Sequence, residues 1–156
     1  MKKNIQNDFD WVIHCIKNGS KCAVCGEPIN DMMPGSANYH THGMKKYKHP
    51  DFQLVLNYDM QVAGYILNTL ADRVRSGERF KDGDYVKGIF LDCDVRLDTF
   101  VEDGRKVLRV IVPDKYNIFP NEMGCDMKYW VQLIETDKLY ANWGEKSQPC
   151  RCRRGA

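Results

Sequence analysis

Apolar and polar positions recur with two different periods along this chain, and the change of period divides it. Ile5, Phe9, Val12, Ile13 and Ile16 return at steps of three and four, which predicts a helix with one apolar face ending at Asn18-Gly19. His14 falls near the C-terminal end of that helix and is read as structural, facing the helix dipole. The stretch 39–57, YHTHGMKKYKHPDFQLVLN, reads as strand, basic loop, strand, with Gly43 freeing the backbone and His49-Pro50 marking a turn before Phe52, Leu54, Val55 and Leu56. Met60, Ala63, Ile66, Leu67, Leu70 and Val74 then form the clearest helical stripe, with Asp59 as N-cap and Gly77 as stop.

From Tyr85 onward the period shortens to two. Ile89, Leu91, Val95 and Leu97 are expected to point inward, Glu102-Asp103-Gly104-Arg105 makes a hairpin turn, and Leu108, Val110 and Val112 alternate up to Pro113. A further strand is expected over 129–134. The tail 142–156 is poor in apolar residues. The architecture that follows is α+β: a single small domain over 1–141, a mostly antiparallel sheet with two main helices packed on it, and a Cys/Arg-rich C-terminal tail over 142–156.

Composition narrows the class. The 156 residues suit one domain, and 43% hydrophobic content closes a core of ordinary size. A net charge of +2 excludes a general polycation, so basic character is local, at Lys45, Lys46 and Lys48 and at Arg151, Arg153 and Arg154. No apolar run follows the first lysines, so no signal peptide is expected, and no stretch is long enough to span a bilayer. Seven cysteines, an odd number, point to reduced thiols and a cytoplasmic protein.

Three groupings carry candidate chemistry. His40 and His42 share one face of an extended segment, and with Lys45, Lys46, Tyr47 and His49 they make a loop suited to an anionic, nucleotide-like ligand, the ring stacking on a base and the cations holding phosphate. Cys22-x-x-Cys25-Gly26 has the form of a metal knuckle, and Cys150 and Cys152 would complete a four-thiolate zinc site joining the two ends of the chain. Asp92 and Asp94, placed on one strand face, would join the histidine pair in a mixed metal site if the fold brought them together. Neither a glycine-rich phosphate loop nor a Walker motif is present.

The phrases YHTHGM (39–44), His49-Pro50-Asp51-Phe52, Ala63-Gly64, Leu67-Asn68, VLRVIVPD (107–114) and Phe119-Pro120 resemble the DUF4262 family of bacterial and phage proteins over about residues 37–135. The resemblance implies a small α+β domain and no assigned activity. Thr41, Gly43 and Met44 carry the first phrase, and the cysteine pairs lie outside the resemblance.

Three functions are therefore expected in turn. The first is binding of an anionic, nucleotide-like ligand through the His/Lys/Tyr loop. The second is metal-dependent hydrolysis of a phosphoester through His40 and His42. The third is a phage-type interaction module that blocks a host protein.

Overall fold

Helix α1, Met60–Arg75, forms where the stripe predicts it. The Asp59 carboxylate accepts a hydrogen bond from the Val62 N–H at 3.0 Å, satisfying one of the amide groups that a helix start leaves open. Gly77, at φ 111°, ends it. Ala63, Ile66, Leu67, Leu70, Ala71 and Val74 are buried on one face, and their removal from water is the main local source of stability.

That face rests on a six-stranded sheet. In this computed structural model, which describes residues 9–140, the strands are β1 (Val12–Ile16), β2 (Ser36–His42), β3 (Asp51–Leu56), β4 (Tyr85–Val86), β5 (Val95–Glu102) and β6 (Arg105–Ile111). They lie in the order β1-β2-β3-β6-β5-β4. Every neighbouring pair is antiparallel except β3 and β6 at the centre, whose parallel pairing is made possible by the crossover through α1. The β5–β6 hairpin turns at Asp103 and Gly104, both at positive φ (48° and 77°), the backbone that a two-residue hairpin turn requires.

The opposite face of the sheet is covered by the segment 127–140. It contains a 3-10 helix, Met127–Leu133, and a short helix α2, Thr136–Leu139. The small α+β domain is thus the one expected, with its helices on the two faces of a mixed, mainly antiparallel sheet.

Three local expectations are corrected. The apolar spacing around 5–16 does not make a helix: Val12–Ile16 is the edge strand β1, paired antiparallel with β2 in the register Val12–His42, His14–His40 and Ile16–Asn38. Three of its five residues are β-branched, and the bonds offered by β2 outweigh a helical spacing that such residues support weakly. The stretch 129–134 is not a strand: up to Leu133 it belongs to the 3-10 helix, and Ile134 is its C-cap. There Gln132 itself acts as a strand neighbour: its amide accepts from Val112 N at 2.6 Å and donates to Val112 O at 2.8 Å. Finally, Asp92 and Asp94 lie in the irregular stretch before β5 rather than on a strand, and Leu91 is fully exposed.

Candidate functional site

Directly opposed residues on neighbouring strands share a face of the sheet, and the register lines up one row of polar residues across five strands. His14 on β1 faces His40 on β2, His40 faces Gln53 on β3, Gln53 faces Arg109 on β6, and Arg109 faces Asp98 on β5. The row lies on the face turned away from α1. His42, two residues beyond His40, joins it at the β1–β2 end.

There the three imidazoles converge. Ring centroids are 4.4 Å apart for His14 and His42, 5.0 Å for His40 and His42, and 5.4 Å for His14 and His40. One ring nitrogen from each lies within 4.8 Å of the other two. A tetrahedral zinc ion with bonds of about 2.1 Å would space its ligand atoms about 3.4 Å apart, so the set is at most about 1.4 Å wider than a bound ion would hold it, around a buried His40 flanked by exposed His14 and half-buried His42. Burial, with the neighbouring His42, Arg105 and His14 adding to it, pushes the pKa of His40 down to about 3. Burial, aided by Arg105 and His14, also lowers that of His42. Both rings are therefore neutral at physiological pH, the state in which an imidazole nitrogen can ligate.

A carboxylate completes the group. Glu102 Oε1 at the end of β5 lies 3.6 Å from His40 Nε2, and its other oxygen accepts from Arg105 Nε at 3.1 Å. Arg105 also donates to Asp51 Oδ2 at 2.5 Å and to the Thr41 carbonyl at 3.0 Å. Asp51 Oδ1 in turn accepts from the Thr41 hydroxyl at 2.8 Å. The hairpin end, the end of β2 and the start of β3 are thereby tied together behind the histidines.

The cluster opens into a cleft of about 1380 Å³. Ile13, Ile16, Val24, Phe100 and Val101 give it apolar walls, and Cys22 borders it. Its charged lining among the described residues consists of Glu102, Asp103, Glu135 and Asp137, with no lysine or arginine.

The predicted ligand loop is divided by the fold. His40 and His42 line the cleft, whereas Lys45, Lys46, Tyr47 and His49 do not. Lys45, Lys46 and Tyr47 belong to a 3-10 turn, Met44–Tyr47. The Tyr47 hydroxyl donates to the Asp10 carboxylate at 2.6 to 2.7 Å, and Lys46 pairs with the same carboxylate at 3.5 Å. These two side chains fasten the turn to the residues just before β1. His49 is buried, its Nε2 accepting from Phe80 N at 3.0 Å and its Nδ1 2.7 Å from the Pro50 carbonyl. Both its ring nitrogens are committed to backbone.

The aspartate pair is also elsewhere. Asp92 and Asp94 line a separate hollow with Tyr85, Lys87 and Asn117, and Asp94 pairs with Lys87 at 3.3 Å. They precede the start of β5, whereas Glu102, the β5 residue that reaches His40, closes its far end, eight residues or about 26 Å along from Asp94 at roughly 3.3 Å per residue. A metal shared with His40 and His42 is excluded by that separation.

Cys22 and Cys25 flank a tight turn closed by Gly26 N to Cys22 O at 2.9 Å and Cys22 N to Glu27 O at 2.8 Å, with Gly26 at φ 73°. Cys150 and Cys152, the other half of the expected zinc site, lie outside the described residues, as does the tail 142–156.

Sequence reasoning missed His14, because near the end of an expected helix it reads as a structural residue facing the helix dipole. Glu102 reads in the sequence only as a turn residue, and no local signal singles out the buried Asn38, Gln53 and Arg109. Glu102, Gln53 and Arg109 become neighbours of the site only through strand pairing.

Fold and site together define a small α+β protein with a three-histidine cleft at one edge of its sheet. The chain belongs to the DUF4262 family, described as a domain of unknown function, whose sequence profile matches residues 17–126. The matched span takes in Cys22, Cys25, His40, His42, Gln53, Glu102 and Arg109, while His14 stands before it. Neither a curated protein nor a solved structure matches the chain. Among the described residues, no helix is long and apolar enough to cross a membrane.

Proposed function

We propose that the protein is a metal-dependent hydrolase in which His14, His40 and His42 hold one divalent transition-metal ion, zinc being the ion best suited to three imidazoles and an open position. The observation that carries this reading is the convergence of three ring nitrogens within 4.8 Å at the mouth of a cleft. A divalent ion held there supplies Lewis-acid chemistry, polarising a substrate oxygen and lowering the pKa of a water molecule. Glu102, 3.6 Å from His40 Nε2, is the group positioned to take the proton from that water. Its salt bridge to Arg105 holds the carboxylate in place. The water oxygen bonds to the substrate's electrophilic carbon as the bond to the leaving group breaks, and the proton collected by Glu102 passes to that leaving group.

The walls favour a neutral or cationic, partly apolar substrate such as an ester or amide. A phosphoester brings its own negative charge to a cleft lined, among the described residues, by four carboxylates and no lysine or arginine. The same lining gives less support to an anionic, nucleotide-like ligand, since Lys45, Lys46 and Tyr47 lie outside the cleft, Lys46 and Tyr47 paired with Asp10.

The test is metal analysis of the purified full chain, followed by zinc titration and assay against p-nitrophenyl esters, amino-acid p-nitroanilides and bis-p-nitrophenyl phosphate. We expect zinc-stimulated cleavage of an ester or amide, reduced at least 100-fold in both His42→Ala and Glu102→Gln. Zinc binding should be lost in His42→Ala and retained in Glu102→Gln. Metal retained by His42→Ala and lost from Cys25→Ser would assign the ion to the thiolates and sink the histidine reading.

A further inference from the structure

We infer that the buried residues Arg109, Gln53 and Asn38 form a relay that fixes the tautomer of His40, so that its Nε2 carries the lone pair offered to the cleft. The proposal deepens the metal reading above and rests on it for the role of His40. The hydrogen on Nδ1 follows from hydrogen bonding alone.

A guanidinium can only donate. Arg109 Nε donates at 2.8 Å to one terminal atom of the Gln53 side chain, which must therefore be the amide oxygen. The other terminal atom is then the NH₂ group, and it lies 3.0 Å from Asn38 and 3.2 Å from the Thr136 hydroxyl. The Asn38 atom facing a donor must be Oδ1. That same oxygen is 3.0 Å from His40 Nδ1, so Nδ1 must carry the hydrogen. In a neutral ring only one nitrogen does, and the lone pair is left on Nε2. Each amide orientation and the position of the Nδ1 hydrogen are thus determined by a guanidinium that can only donate.

The start of the relay is itself immobile. Arg109 has no solvent exposure. Its Nη1 donates to the carbonyls of Gln132 and Ile134, its Nη2 to the Thr136 hydroxyl, and its guanidinium carbon lies 3.5 Å from the centroid of the Phe100 ring. At the other end, Asn38 Nδ2 donates to the Tyr140 hydroxyl at 2.9 Å. Every polar atom of the relay is satisfied, and rotating one amide would oppose two donors.

At the cleft, the result is that two electron-pair donors face each other, His40 Nε2 and Glu102 Oε1, 3.6 Å apart. A cation beside them satisfies both. Outer-sphere partners that orient a ligating histidine are worth roughly 10- to 100-fold in metal affinity, and Asn38, with Gln53 and Arg109 behind it, is such a partner for His40. They are positioning residues.

The relay predicts a specific inversion. Gln53→Glu keeps the shape and gives Arg109 a carboxylate partner, but it replaces the NH₂ group facing Asn38 with an acceptor oxygen. Asn38 should then turn its own NH₂ toward both the new carboxylate and His40 Nδ1, its oxygen accepting from Tyr140, and His40 should move its hydrogen to Nε2. Asn38→Asp, by contrast, keeps an acceptor opposite Nδ1 and should keep the original tautomer.

The experiment is long-range ¹H–¹⁵N NMR of the histidine rings in the metal-free full chain at about pH 7.5, where an unperturbed imidazole is mostly neutral, followed by titration with Zn²⁺ alone. We expect His40 in the Nδ1–H form in the unmodified protein and in Asn38→Asp, and in the Nε2–H form in Gln53→Glu. Zinc affinity should fall roughly 10- to 100-fold in Gln53→Glu, with no loss of thermal stability, and stay within about threefold in Asn38→Asp. An Nε2–H ring in the unmodified protein, or an unchanged tautomer in a folded Gln53→Glu, would overturn the relay. If the tautomers behave as expected but the unmodified protein binds no zinc, the relay stands and the metal reading falls. Zinc affinity unchanged despite an inverted tautomer would remove His40 from the ligand set.

Discussion

His40 is 3% exposed, is surrounded by two other imidazoles and Arg105, and keeps a neutral ring under those conditions. His42 and the structural His49 are held below the ordinary histidine range as well, chiefly by burial. The direction of the pH effect follows from linkage. A histidine whose folded pKa is depressed takes up its proton first in the unfolded chain, so its contribution is whole above about pH 6.5 and is lost as pH falls below that value toward the folded pKa, about 3 for His40. One such group contributes a slope of at most about 1.4 kcal/mol per pH unit inside its window. Urea unfolding of the metal-free protein should therefore show stability dropping steadily between about pH 7 and about pH 5, with a shallower slope in His49→Gln. A midpoint independent of pH over that interval would show that these rings are not held neutral.

The segment 127–140 is attached to the sheet by side chains rather than by strand pairing. Gln132 occupies the N–H and carbonyl of Val112, and Arg109 holds the carbonyls of Gln132 and Ile134. Removing the Gln132 amide leaves two buried backbone groups of Val112 without their partner, at about 1–3 kcal/mol for each unsatisfied group. Gln132→Ala should lower stability by about 2–6 kcal/mol and selectively raise amide exchange at Val112, with the α1 amides changing only through global stability. Equal protection at Val112 in the variant would mean that the segment is held by its apolar contacts instead. The same element explains one mistaken expectation: Tyr129, Trp130, Val131 and Leu133 have strand-like composition, but β6 has no free edge beside them, since β3 and β5 occupy both sides.

For the whole molecule, the three histidines come from two strands and their supporting carboxylate from a third, so an ion bound there links β1, β2 and β5. A ligand that binds only the folded state stabilises it by about 2.7 kcal/mol at a free concentration roughly 100 times Kd. Zinc should raise the unfolding midpoint of the full chain, and His14→Ala should remove much of that gain even though His14 is exposed and makes little core contact. A zinc-induced shift that is undiminished in both His14→Ala and His42→Ala would place the stabilising ion elsewhere, the Cys22–Cys25 turn being the other candidate.

What the sequence determined by itself is what depends on near neighbours. Helix α1 with its Asp59 cap, the Asp103-Gly104 hairpin, the extended segment carrying His40 and His42 on one face, and the α+β class all follow from period, capping and turn chemistry within a few residues. Only the tertiary structure decided that Val12–Ile16 is a strand, because the bonds that make it one come from β2. The site followed from that decision: β1 in this register puts His14 opposite His40, whereas a helix would not. The relay is equally a product of pairing, since Asn38, Gln53 and Arg109 stand far apart in the chain and meet because β2, β3 and β6 lie side by side. Conversely, Lys45, Lys46 and Tyr47 are neighbours of His42 in sequence but not in the cleft, because Gly43 turns the chain away. Its φ of 135° and its approach to Trp11 leave no room for a Cβ, which would lie 2.9 Å from the Trp11 Cβ.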